Sequence, residues 1–127
     1  SLIHNKKASL WTKKPKRDFI YVDDAIDAVL KLIKTDFSGT VNMGTGIGTT
    51  IGELATHLEN LSNIKIEDQN IEVPGHMEYY NDMSLLKSLI DWKPAYSLEK
   101  GLSKTWSLMN EYYRESEVKS RITKALQ

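Results

Sequence analysis

The sequence predicts a small α/β fold, α+β-like in its proportions, with short strands and three main helices. Three observations predict it. The first is Arg17-Asp18-Phe19-Ile20-Tyr21-Val22-Asp23-Asp24. Its β-branched and aromatic residues at 19–22 favour a half-buried strand with Arg17 at its entrance. Asp23 or Asp24 then stands where a helix's unpaired N–H groups need an oxygen acceptor. The second is Thr40-Val41-Asn42-Met43, read as a strand, followed by the loop Gly44-Thr45-Gly46-Ile47-Gly48 and the box Thr50-Ile51-Gly52-Glu53. In such a box a hydroxyl and a carboxylate each accept from the other residue's amide, which opens a helix. The third is the spacing of Leu98, Leu102, Trp106, Met109 and Tyr113, a buried stripe along the longest helix.

The remaining elements follow in order. Ala8-Ser9-Leu10-Trp11 reads as a short strand, and Lys13-Lys14-Pro15-Lys16-Arg17 as a turn because of its proline. Ile26, Val29, Leu30 and Ile33 give the first helix an apolar face; Ile51, Leu54, Ala55, Leu58 and Leu61 do the same for the second. Residues 65–73 are polar and partly extended, residues 73–76 turn at Pro74-Gly75, and Glu78-Tyr79-Tyr80 reads as a short strand. Asp82 or Ser84 caps a brief helix through Leu85, Leu86 and Leu89 that Asp91-Trp92-Lys93-Pro94 ends; Ser97 caps the longest helix. Residues 1–113 form the lobe. Residues 114–127 are a polar tail, helical or disordered, with Val118 and Ile122 at helical spacing.

Composition excludes several classes. The 17 basic and 17 acidic side chains cancel, and 40% of residues are hydrophobic. That argues against a disordered chain and against a nucleic-acid partner. Without cysteine there are neither disulfides nor thiolate metal sites, which fits a reducing, cytoplasmic setting. No apolar run reaches bilayer-spanning length. The start Ser1-Leu2-Ile3-His4-Asn5 reads as the middle of a longer protein.

Several motifs invite chemistry. Strand, glycine loop, helix is how phosphates are cradled, but Thr49 stands where the third glycine of G-x-G-x-x-G belongs. A loop that lets strand and helix pack closely is the better reading. Tyr96-Ser97-Leu98-Glu99-Lys100 matches Tyr-x-x-x-Lys in form, yet Tyr96 precedes the cap, so the pair does not share a helix face. It is rejected as catalytic. His4, His57 and His76 lie on different elements without metal-ligand spacing, and only His76, in a loop after Pro74-Gly75, keeps functional interest. No catalytic residue and no metal site is assigned. The guanidinium of Arg17 is planar, always charged and matched to two phosphate oxygens. On spacing alone a salt bridge to Asp18, Asp23 or Asp24 competes with that role and stands slightly ahead.

Taken together, four segments resemble the C-terminal part of the extended short-chain dehydrogenases, the NAD-dependent epimerase/dehydratase family acting on nucleotide sugars. They are residues 17–24; Asn42-Met43-Gly44-Thr45-Gly46 running to Glu53-Leu54; Pro74-Gly75-His76 leading to Asp82-Met83-Ser84; and Asp91-Trp92-Lys93-Pro94 with Ser97-Leu98-Glu99-Lys100-Gly101-Leu102. The resemblance implies the smaller C-terminal lobe of a Rossmann-type enzyme, binding a nucleotide-diphosphate sugar through Arg17, Lys16 and His76. It implies NAD or NADP in the full-length parent but none bound by this chain, and a parent that dimerises through the other domain. It also implies no turnover by the chain alone. Two departures stand out. Glu72 and Val73 occupy the place where many members carry a second arginine, and Lys13-Lys14-Pro15-Lys16 replaces a Gly-x-Gly turn. One of those lysines is available to restore the missing charge. The Lys-Arg-Asp-Phe run is similar to that of heptose-nucleotide epimerases, so the sugar stays open. A stand-alone binding or interaction module without catalysis is the alternative.

Overall fold

The computed structural model describes residues 2–125; Ser1, the last two residues of the tail, and the side chains of His4, Glu117, Lys119 and residues 122–125 lie outside that description. The elements run α1 (Leu2–Asn5), β1 (Ala8–Leu10), β2 (Lys16–Asp18), α2 (Val22–Leu32), β3 (Gly48–Thr50), α3 (Ile51–Ser62), β4 (Ile66–Asp68), β5 (Glu78–Tyr79), α4 (Ser84–Leu89) and α5 (Leu98–Ala125). Two small sheets form. One pairs β1 with β4 in parallel; in the other, β2 is central, antiparallel to β3 and parallel to β5. No described helix is long and apolar enough to cross a membrane.

The strand expected at 19–22 lies instead at Lys16–Asp18. Its partners decide this. β3 and β5 offer ladder positions opposite 16–18, and Asp18 then turns into a loop while the chain passes to α2. Arg17 is therefore the middle residue of a central strand and not its entrance. The expected strand at 40–43 does not form either. The sheet neighbour of β2 comes from Gly48–Thr50, and Val41 and Met43 pack as half-buried side chains on the core.

Helix α2 corrects two expectations. Neither aspartate caps it: Tyr21 is the N-cap, without a side-chain bond. Asp23 and Asp24 sit in its first turn, where negative charge is favoured. The buried Asp24, 4% exposed, accepts from the amides of Ala95 (2.9 Å) and Tyr96 (3.0 Å), so it ties α2 to the entry of α5. The apolar face is not buried by the described residues: Ile26 is 52% and Ile33 72% exposed, with Val29 and Leu30 also open. Ala28 and Leu32, on the opposite side of the helix, face the core.

Two other helix starts match the reading: Thr50 and Glu53 form the capping box of α3, and Ser97 accepts from Lys100 at the start of α5. At α4 the N-cap is Met83 and not Asp82 or Ser84, although Asp82, one residue earlier, accepts from the Ser84 amide. The stripe on α5 is only half-buried, and Met109 is exposed. The α5 start is clamped from α2. Lys104 Nζ donates to Asp23 Oδ2 (2.7 Å) and to the Tyr96 hydroxyl (3.1 Å), above the rings of Tyr21 and Tyr96. The Asp23 carboxylate and then the Tyr96 hydroxyl hold the Lys104 ammonium above its ordinary pKa.

The core is Ala28, Met83, Leu86, Ile90 and Trp92, joining α2 and α4 beneath the 41–43 segment. Leu86 is completely buried, so Leu86→Ala removes its transfer energy and opens a cavity. We expect a loss of about 2–5 kcal/mol in urea denaturation. Ile33→Ser, on the open face of α2, should change stability by less than about 0.5 kcal/mol; equal losses from the two would show that the core lies elsewhere.

Candidate functional site

The site grows from two adjacent residues of β2 whose side chains leave the sheet on opposite faces. On one face, Asp18 accepts five hydrogen bonds. Its Oδ1 takes the Thr45 amide (2.8 Å) and hydroxyl (2.6 Å), and its Oδ2 takes the amides of Gly46 (3.0 Å) and Asn81 (3.2 Å) and the Asn81 side chain (3.3 Å). Asn81 also donates to the Met43 carbonyl at 3.0 Å. Partial burial pushes the Asp18 pKa up; the hydrogen bonds from Thr45, Gly46 and Asn81 outweigh it, and the carboxyl ends below its ordinary range. Gly44 is required here because a Cβ would run into the Asp18 carboxylate, and Gly46 turns with φ +76°.

This resolves the glycine loop. Its amides do hold an anion, as the strand–glycine–helix pattern suggests, but the anion is the chain's own carboxylate. The loop does pack closely, as expected, but what its glycines approach is Asp18, Asn81 and Tyr80 and not the helix that follows. A dinucleotide phosphate does not fit there, since the amides of Thr45 and Gly46 are already committed. The role of Asp18 was missed in the sequence, where it figured only as a partner for Arg17. The available signal was its position next to a strand-borne arginine, facing away from it.

On the other face, the register sets Arg17 between Thr49 of β3 and Tyr79 of β5. Its Nη1 donates to the carbonyls of Lys16 (2.6 Å) and Met77 (3.5 Å). No carboxylate pairs with it, and its Nε and Nη2 have no acceptor among the described residues. The expected competing salt bridge to Asp18, Asp23 or Asp24 is thus absent: those carboxylates serve the glycine loop, Lys104 and the α5 entry. Lys16 lies on the opposite face and bonds Glu78 at 2.8 Å, which raises its pKa. His76 is exposed in the loop that leads into Met77.

Two cavities flank the strand. One of about 570 Å³ is bounded by Thr12, Lys14, Asn70, Ile71, Glu72, Val73, Gly75 and Met77. A second, of about 370 Å³, lies between Phe19, Thr45, Ile47, Thr49, Pro94, Tyr96, Ser97 and Leu98. Tyr96 pairs with Lys104 and not with Lys100, in agreement with rejecting the Tyr-x-x-x-Lys match. Met77, whose carbonyl accepts from Arg17 Nη1, lines the first cavity, and a guanidinium without a carboxylate partner can bind an anion.

No family model matches the sequence. Against curated proteins, it is 32% identical over 111 residues to UDP-glucuronic acid decarboxylase 5 of Arabidopsis thaliana, covering 84% of this chain and 31% of that protein. Among solved structures, UDP-glucose 4-epimerase of Thermotoga maritima, solved with UDP-glucose, superposes with a TM-score of 0.73 at 25% identity, covering 91% of this chain and 37% of that one. UDP-glucuronic acid 4-epimerase of Bacillus cereus, in complex with UDP-glucuronic acid and NAD, gives 0.71 at 23% identity, covering 83% and 35%. The chain spans about a third of the length of each protein it matches. The lobe of a Rossmann-type enzyme expected from the sequence is the fold found.

Replacing Asp18 by Asn puts an NH2 group against amides that need an acceptor. The expected cost is about 1–3 kcal/mol at pH 7. A carboxylate whose folded pKa is depressed contributes in full above its unfolded value of about 4 and loses that contribution as pH falls through the lower folded value. Denaturation of both proteins from pH 7 to pH 2 should therefore show a constant gap that closes only below about pH 4.

Proposed function

We propose, for a chain that belongs to the extended short-chain dehydrogenase family of NAD-dependent nucleotide-sugar epimerases and dehydratases, that it is the lobe holding the sugar diphosphate for transient oxidation at a sugar carbon. The observation that carries this reading is the state of Arg17. It is a guanidinium on a central strand without a carboxylate partner among the described residues, held through Nη1 by the Lys16 and Met77 carbonyls, with Nε and Nη2 left to donate. An arginine so placed grips two phosphate oxygens at once.

In this reading the other two residues act around it. Lys16 donates its amide to the Met77 carbonyl (2.7 Å) and its ammonium to Glu78, fixing β5 beside β2. That holds the 74–77 loop, with His76, against the guanidinium. His76 serves as a neutral or charged donor to the sugar diphosphate from the loop. Holding the ligand so that its reacting carbon faces the cofactor is the positioning contribution, worth several kcal/mol of barrier. The NAD or NADP belongs to the remainder of the parent, because the one glycine loop here is filled by Asp18. The chemistry that group supplies is hydride transfer.

The test is ligand titration of the chain with UDP and other nucleoside diphosphates, followed by amide shifts in NMR. Arg17→Ala should weaken binding about 10- to 100-fold with an unchanged far-ultraviolet spectrum; an unchanged affinity removes Arg17 from the site. The chain incubated with NAD and UDP-glucose or UDP-glucuronic acid should give no turnover, and product formation would overturn the division of labour.

A further inference from the structure

We propose that the outer half of α5 pairs with the same segment of a second copy of this chain, the two running antiparallel. The helix packs on the lobe only near its start, where Gly101 is buried against the Tyr21 ring and Leu102 and Trp106 are half-buried. From Ser107 to Arg121 every described side chain is exposed except Asn110 and Tyr113. Residues 107–125 make ~28 Å of helix. An open hollow of about 600 Å³ lies along one flank, lined by Trp106, Ser107, Asn110, Glu111, Arg114 and Glu115 and by no other element among the described residues. A helix of this length held only by its own hydrogen bonds is marginal in water, and this one leaves Val118 52% exposed.

The order of charges identifies the occupant. Residues 111–117 hold Glu111, Glu115 and Glu117 with the single cation Arg114; residues 118–124 hold Lys119, Arg121 and Lys124 and no acid. A segment that is acidic first and basic after complements itself when reversed, because a two-fold axis sets each half against the other half of the copy. Glu111, Arg114, Val118 and Arg121 follow one another at intervals of three, four and three residues, which places them on one flank of the helix. With the axis level with Ser116, Glu111 of one chain stands level with Arg121 of the other, and the pair occurs twice. Arg114 stands level with Val118, which an arginine stem can cover. A parallel pair would instead oppose Glu111 to Glu111 and Arg121 to Arg121. Within the chain these charges are unused: Glu111, Arg114, Glu115 and Arg121 form no ion pair among the described residues, although Glu111 and Arg114 are one turn apart. So short a contact falls among the small interfaces, under about 1,200 Å², and the dimer is a weak one. It is separate from the nucleotide-sugar site and does not rest on it.

Analytical ultracentrifugation of the chain from about 0.01 to 1 mM should show a monomer–dimer equilibrium that weakens at high salt. Glu111→Arg and Arg121→Glu should each weaken dimerisation about tenfold, with helix content unchanged in the far-ultraviolet spectrum. An equal mixture of the two variants should dimerise as well as the unsubstituted chain, because each supplies the charge the other now needs. A chain that stays monomeric at every concentration overturns the proposal. So does a dimer that neither variant weakens, which would direct attention to the open apolar face of α2. Two weakened variants that the mixture does not rescue overturn it as well, since the antiparallel register requires that rescue.

Discussion

Five donors converge on one carboxylate, and the rest of the site is arranged by that convergence. Asp18 draws the Thr45 and Gly46 amides and Asn81 to the end of β2. Residues 18, 45, 46 and 81 are far apart in sequence, and the Asp18 carboxylate joins them. Charge-assisted bonds of this kind are stronger than neutral ones, and here they replace a ladder that stops at residue 18. The loop's glycines answer to the same demand: a side chain at Gly44 would collide with the carboxylate.

Because successive strand residues face opposite ways, anchoring Asp18 also aims Arg17. The carboxylate is turned to the glycine loop, and the guanidinium leaves the opposite face, its Nη1 on the Lys16 and Met77 carbonyls. The aspartates that might have neutralised it are each spent elsewhere: Asp18 on the loop, Asp23 on Lys104, Asp24 on the α5 entry. A cation kept free in a chain of zero net charge is a consequence of where its neighbours' acceptors go. The basic run beside it divides the same way, with two lysines paired and Lys14 left over.

Helix α2 shows the other side of this economy. Its apolar stripe is present at the right period, yet the described residues pack the opposite side, where Ala28 is buried and Leu32 packs against the core. An amphipathic pattern states which side chains avoid water; it does not state which neighbour is there to cover them. The same holds for residues 40–43, whose strand-like side chains pack on the core without a backbone partner.

The succession of strands and helices from residue 8 onward, the capping box at Thr50 and the start of α5 at Ser97 were legible in the sequence alone. Each rests on contacts within a few residues or on the chemistry of one side chain. The register of β2, the burial of Asp24, the occupant of the glycine loop and the separation of Lys14 from Lys13 and Lys16 were decided by tertiary structure. Each depends on a partner tens of residues away, such as Asn81 for Asp18, Ala95 for Asp24 or Glu78 for Lys16. Local spacing carries no information about which of several equivalent charges will meet such a partner.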